Sequence, residues 1–160
     1  MTLWNQYYLA KSLPDALQAL QRLPSPARVV AGGTDLLLEL QQGRSAPVES
    51  LVDITAVPEL RKLEVRPGCQ GPDSLFVGAG VPLSQVASHA LVWQHAQALV
   101  DACRLIGGPQ VRNSATLGGN VAHALPAADG SIALLALDAH AEVTDAAGSR
   151  IVPLADLYLG

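Results

Sequence analysis

IGGPQVRNSATLGGNVAHALPAAD, residues Ile106–Asp129, decides how the rest of the chain is read. It holds two Gly-Gly pairs, the small polar residues Asn113, Ser114 and Thr116, Asn120 directly after the second pair, and Asp129 at its end. Bulky apolar residues are almost missing from it, whereas the flanking segments are apolar. A loop of this length inside a compact domain is uncommon without a function. Gly118 and Gly119 carry no Cβ, so main-chain N–H groups there can approach a ligand closely. With Thr116 and Asn120 as flanking donors, this is the chemistry of holding a diphosphate on backbone amides instead of on a lysine cluster.

A second stretch, Val29–Leu38, reads VVAGGTDLLL. Val29, Val30 and Ala31 end a strand, Gly32-Gly33 makes a turn, and Thr34 can cap a helix running from Asp35 through Leu40. Strand, glycine turn and helix start in that order point free N–H groups at an anion. A carboxylate beside a phosphate would repel it, so Asp35 binds N–H donors or a ribose hydroxyl, or simply caps the helix. Neither stretch is a GxGxxG or GxxxxGK[ST] motif, and no lysine follows either glycine pair. One Gly-Gly alone is a tight turn. Two, each beside a hydroxyl residue in one small domain, indicate a split nucleotide site.

The chain has 160 residues and a net charge of −4. That length suits one domain with a real core. The charge and the lack of any basic run argue against a nucleic-acid or anionic-membrane partner. No apolar run approaches a membrane span, and no charged start is followed by an apolar core, so the cytoplasm is the expected compartment. Cys69 and Cys103 are the only cysteines and form no CxxC, which gives no support to a zinc or iron–sulfur site in this chain.

The polar-aromatic composition of residues 1–10, with Trp4, Tyr7 and Tyr8, suggests an entry arm, and periodicity predicts a helix after it, opened by Ser12 with Leu13, Leu17, Leu20 and Leu23 on one face. Strands at Val29–Ala31 and Ser50–Ile54 around the first turn suggest a small parallel sheet. Further on, Leu60–Arg66 and Ser74–Ala79 read as a hairpin, Pro82–His89 as a short helix and Val92–Ile106 as the strongest helix. A helix over Ile132–Leu137, which Asp129 can cap, a hairpin from Ala139–Thr144 and Arg150–Val152, and a turn with a short helix over Pro153–Gly160 complete the chain. The reading is α+β with two lobes, about 1–55 and about 56–160. The first is small and mostly parallel; the second has a larger mixed or antiparallel sheet with helices. One glycine turn from each faces a shared crevice.

AGGTD at Ala31–Asp35, IGGPQVRNSATLGGN at Ile106–Asn120 and PAAD at Pro126–Asp129 together resemble the FAD-binding domain of the molybdenum hydroxylases, the family of xanthine dehydrogenase and aerobic carbon monoxide dehydrogenase. The resemblance spans the chain from SLPDALQAL to VPLADLYLG. It implies the two-lobed fold of the vanillyl-alcohol-oxidase and p-cresol-methylhydroxylase type. It also implies FAD contacts from Val29, Val30, Ala31, Gly32, Gly33, Thr34, Asp35 and Leu36, with Gly32, Gly33 and Thr34 nearest the diphosphate. Thr116, Leu117, Gly118, Gly119 and Asn120 match the second diphosphate and ribityl loop. Asp129 matches an acidic position that binds a sugar hydroxyl or a loop amide; helix capping accounts for it equally well. Ile106 matches a position near the flavin, and core packing is the plainer account of it.

The resemblance further implies an oxidoreductase component with no catalytic side chain and no metal of its own. Substrate would be hydroxylated at a molybdopterin centre in a separate large subunit. Electrons would pass through two [2Fe–2S] clusters in an iron–sulfur small subunit to FAD here, then to NAD+, oxygen or a quinone. In the family a smaller α+β domain usually follows near where this chain stops, and its absence leaves a fragment or a short natural version. Two rivals stand: a non-catalytic or truncated assembly module that binds FAD weakly or not at all, and a stand-alone oxidase carrying covalent flavin.

Overall fold

The computed structural model describes residues 2–68, 72–124 and 128–158. Cys69, the Pro126-Ala127 pair of the PAAD motif and the terminal Gly160 lie outside the described residues.

The N-terminal part is a three-stranded parallel sheet, β1 (Gln6–Leu9), β2 (Ala27–Val30) and β3 (Ser50–Asp53), in the order β1-β3-β2. The central strand has alternating side chains that feed opposite faces. Leu51 packs with Val30, Leu40 and Val48 on one face, and Val52 with Ala10, Ala16, Ala19 and Val57 on the other. Helix α1 (Leu13–Arg22) covers the Val52 face, and helix α2 (Leu36–Gln41) covers the Leu51 face. Ser12 caps α1 by accepting from the Asp15 N–H at 3.2 Å. Residues 6–9, expected in an arm, are instead strand β1. Edge pairing with β3 satisfies their backbone, and the polar-aromatic composition that suggested an arm belongs to a half-exposed edge.

Beyond a 3₁₀ turn at Pro58–Arg61, strands β4 (Leu63–Arg66) and β5 (Ser74–Val77) form an antiparallel hairpin. Helices α3 (Leu83–Ser88), α4 (Ala90–His95), α5 (Gln97–Leu105), α6 (Pro109–Ser114), α7 (Leu117–His123) and α8 (Asp129–Ala136) follow, then hairpin β6 (His140–Asp145) and β7 (Gly148–Pro153). The hairpins are separate two-stranded ladders, bridged by Arg66 Nη1 to Glu142 Oε2 at 3.0 Å. Val81, Leu83, Val86, Val92, Leu99, Val100 and Cys103 make the core of this part, all essentially sealed from solvent. A leucine buried to this extent stabilises by about 1.5–3 kcal/mol. The Cys103 thiol is pushed up to about 11 by desolvation, so it stays a neutral packing group. No helix among the described residues is long and apolar enough to cross a membrane.

Several local readings need correction. The Val92–Ile106 helix is broken at Ala96 (φ −145°, ψ 54°), although its buried face of Ala96, Leu99, Val100 and Cys103 is as expected. Ile106–Asp129 is not a long loop: it contains α6, opened by Pro109, and α7, capped by Thr116. Two glycines in the first turn of α7 and the absence of apolar periodicity hid both helices. Thr34 does not cap α2. Asp35 occupies the cap position in helical geometry with no side-chain bond, and the Thr34 hydroxyl turns to Asp35 Oδ2 at 3.4 Å. Asp129 is also no cap: Ala128 holds that position, and Asp129 lies in the first turn of α8.

Candidate functional site

The first glycine turn leaves the C-terminal end of β2, the edge where open parallel sheets bind ligands. Gly33 has φ +69°, a left-handed conformation that a side chain would strain. The Leu37 N–H donates to Gly33 O (3.0 Å) and the Glu39 N–H to Asp35 O (2.9 Å), which starts α2. The amides of Gly32, Gly33, Thr34, Asp35 and Leu36 donate to no acceptor among the described residues. Consecutive unused N–H groups at a turn are what an anion nest is built from.

The second turn behaves differently. Thr116 Oγ1 accepts from the Gly119 N–H at 3.1 Å, and Thr116 O accepts from the Asn120 N–H at 3.0 Å. The Leu117 N–H donates to Val81 O (3.0 Å) and the Gly118 N–H to Ala79 O (2.9 Å). The expectation that Gly118 and Gly119 present free amides to a ligand is therefore overturned: capping of α7 and docking onto residues 79–82 engage them. Gly118 is small for another reason. A Cβ there would overlap Ala79 Cβ and lie 2.8 Å from the Ala79 carbonyl oxygen.

The turns nevertheless meet. A Cβ on Gly32 would overlap the Ser114 carbonyl oxygen and lie 2.9 Å from Ala115 Cα, so the first turn rests directly on the end of α6. Beside this contact is a cleft of about 290 Å³. Ala31 and Gly32 line it from the first turn, Ser114 and Thr116 from the approach to α7, and Thr55 and Arg61 from the segment after β3. Gly80, Pro82 and Asn113 complete the wall. A broader depression of about 620 Å³ lies between α1 and the β6–β7 turn, far in sequence from either glycine pair; it is shallow and holds none of the expected site residues.

Of the residues singled out in the sequence, Ala31, Gly32, Asn113, Ser114 and Thr116 line the cleft, while Gly33, Thr34, Asp35 and Leu36 are not among its lining residues and continue the amide run from Gly32. Val30 is buried in the sheet core, Leu36 packs against that core, and Val29 is exposed on the edge strand. Leu117 is buried in the core of the larger part, and the Gly119 amide is held by the Thr116 cap. Ile106, Asn120 and Gly130 form a second group. The position of a Cβ on Gly130 would be 2.5 Å from Asn120 Oδ1 and 3.8 Å from Ile106 Cδ1. Among the described residues Asn120 Oδ1 and Ser131 Oγ are buried without a hydrogen-bond partner, and Asp129, which precedes Gly130, is exposed. Arg112, read as steadying the loop, donates to the carbonyls of Ile106 (3.2 Å) and Gly107 (2.6 Å). His123 Nε2, at the end of α7, lies 3.7 Å from Glu39 Oε1 in the first turn of α2.

Thr55 and Arg61 were not singled out in the sequence. Thr55 follows the C-terminal end of a parallel strand, a signal that was available. Arg61 sits in PELR, which carries no motif.

A family model described as the FAD binding domain in molybdopterin dehydrogenase matches residues 3–160. The chain is 34% identical over 155 residues to the carbon monoxide dehydrogenase medium chain of Hydrogenophaga pseudoflava, covering 97% of this chain and 52% of that one. It is 33% identical over 154 residues to the xanthine dehydrogenase FAD-binding subunit of Escherichia coli O157:H7, covering 96% and 51%. Among solved structures, carbon monoxide dehydrogenase from Hydrogenophaga pseudoflava superposes with a TM-score of 0.87 at 33% identity, over 98% of this chain and 52% of that one. Quinoline 2-oxidoreductase of Pseudomonas putida 86 gives a TM-score of 0.87 at 30% identity, with coverage of 98% and 52%. The chain thus spans about half the length of these relatives. With the mixed α+β architecture and the family-model match over residues 3–160 in agreement, the chain belongs to the FAD-binding domains of the molybdopterin dehydrogenases, whose cofactor is FAD.

Proposed function

We propose that the chain is the flavin-carrying part of a cytoplasmic molybdenum-containing hydroxylase, built as lobes of about residues 1–55 and about 56–160. In this reading substrate is hydroxylated on a separate molybdopterin subunit, so this chain alone hydroxylates nothing. Electrons leave through the [2Fe–2S] clusters of a small subunit and reach NAD+, oxygen or a quinone by way of FAD held here. Family membership and the likeness to a medium chain support the subunit role.

The observation that carries the reading is the unused amide run of Gly32–Leu36 beside a cleft shared with Thr116. It fits the cofactor, because a diphosphate is an anion that neutral N–H dipoles can hold without lysine. The first-turn amides would take the diphosphate oxygens. The Thr116 hydroxyl would border them, and Asn120, Asp129 and Ile106 would serve the groups further along the dinucleotide. When bound, FAD supplies the redox chemistry, and this chain contributes binding, orientation and tuning. One observation favours the assembly-module alternative: the amides of Leu117, Gly118, Gly119 and Asn120 are all engaged within the protein.

Titration of the purified chain with FAD, followed by desalting, separates the two. The flavin reading expects yellow protein retaining FAD at about one per chain. Protein that emerges colourless contradicts it and supports the assembly module.

A further inference from the structure

We infer that Arg61 supplies the positive charge that holds the diphosphate at the cleft between the glycine turns, an assignment that rests on the FAD reading. With the second-turn amides engaged, the neutral dipoles of the first turn are what remains to meet a doubly anionic group. Asp35, exposed in that same turn, adds a charge of the wrong sign. The cleft therefore calls for a cation, and Arg61 is the one charged side chain among the residues lining it.

Its guanidinium is available. Among the described residues its only hydrogen bond is from Nη1 to Thr55 O, at a long 3.4 Å, and no carboxylate lies within ion-pair distance. Arg66 is engaged with Glu64 and Glu142, Arg150 with Asp145, Arg112 with two carbonyls, and Arg22 and Arg104 over the Tyr8 and Trp93 rings, while Arg28 and Arg44 do not line the cleft. The five donors of a guanidinium suit phosphate oxygens in a way a carbonyl at that distance does not use.

Its backbone is also fixed. The Gly80 N–H donates to Leu60 O (2.7 Å) and the Gly78 N–H to Lys62 O (2.7 Å), so the residues on both sides of Arg61 are pinned. Gly78 has no room for a side chain, and Gly80 has little. A Cβ on Gly78 would overlap Leu60 O and lie 3.1 Å from Arg61 N, and one on Gly80 would lie 3.1 Å from Leu60 O. Such clamping holds the base of the side chain at the cleft wall and lowers the entropy lost when the guanidinium is ordered by an anion.

The test is titration of wild type, Arg61→Met and Arg61→Lys with FAD and, separately, with ADP, which presents an adenosine diphosphate without the flavin. Melting of each ligand-free protein runs alongside. Arg61→Met should weaken both ligands by about 10- to 100-fold, the size of a lost charge-assisted hydrogen bond, and flatten the salt dependence of binding. Arg61→Lys should recover part of the affinity, and ligand-free melting should not move. Two outcomes overturn the assignment alone: Arg61→Met binding FAD within about twofold of a wild type that binds, or both variants losing affinity together with ligand-free stability. A wild type that takes up neither FAD nor ADP overturns the flavin reading itself, and the assignment with it.

Discussion

Gly32→Ala is expected to abolish FAD retention and to destabilise the fold by about 1–3 kcal/mol. The reason is not backbone conformation, since the left-handed residue in that turn is Gly33. It is contact. The added methyl would overlap the Ser114 carbonyl oxygen and press on Ala115 Cα at 2.9 Å. Both are backbone atoms, and Ala115 is tied by its N–H to Val111 O (2.7 Å) and by its carbonyl to the Leu83 N–H (2.9 Å). A flexible side-chain tip could swing away, but this wall cannot. The turn must lift, which separates it from α6 and displaces the amides that follow Gly32. Flavin titration and thermal denaturation of the same protein read both effects. Wild-type affinity and melting in Gly32→Ala would show that the turns do not meet as described.

Gly118→Ala should cost about 1–3 kcal/mol, against the trend of helix propensity. In a helix, replacing glycine by alanine ordinarily gains up to about 1 kcal/mol. Here the methyl would overlap Ala79 Cβ and lie 2.8 Å from both Ala79 Cα and its carbonyl oxygen, the acceptor of the Gly118 N–H. Steric overlap with backbone outweighs propensity, and α7 is pushed off residues 79–82. The adjacent position is the control. A Cβ on Gly119 meets only Thr116 Oγ1 at 3.0 Å, so Gly119→Ala should stay within about 0.5 kcal/mol of wild type. Chemical denaturation of the pair should order them Gly119→Ala above Gly118→Ala. The reverse order would mean that the close approach of α7 to Ala79 is not what selects glycine.

How far the site is legible in the sequence depends on what kind of signal each residue leaves. The Val-Val, Gly-Gly, Leu-rich succession at residues 29–38 marks strand, turn and helix, and the structure has all three within a residue or two. The parallel sheet follows from apolar SLVD, whose Ser50, Leu51 and Val52 are buried as a central strand requires. Glycine itself is ambiguous. The same absence of Cβ serves ligand approach, left-handed backbone or close packing, and sequence does not separate them. Gly33 takes the second use, Gly32 and Gly118 the third. The engagement of the second turn is only half visible locally: Thr116 caps the Gly119 and Asn120 amides from within the motif, whereas the partners of the Leu117 and Gly118 amides, Val81 O and Ala79 O, are more than thirty residues away. Arg61 left no signal at all, since nothing local says that Thr55 and the glycine turns will stand around it.

Amide hydrogen exchange with and without FAD tests the central claim most directly, because unused N–H groups exchange readily and hydrogen-bonded ones do not. Without ligand, Gly32, Gly33, Thr34, Asp35 and Leu36 should exchange fast, while Leu117, Gly118, Gly119 and Asn120 are already protected. Saturating FAD should slow the first set by about tenfold or more and leave the second nearly unchanged. First-turn amides that are protected before FAD is added, or that exchange as fast after it, would contradict the account.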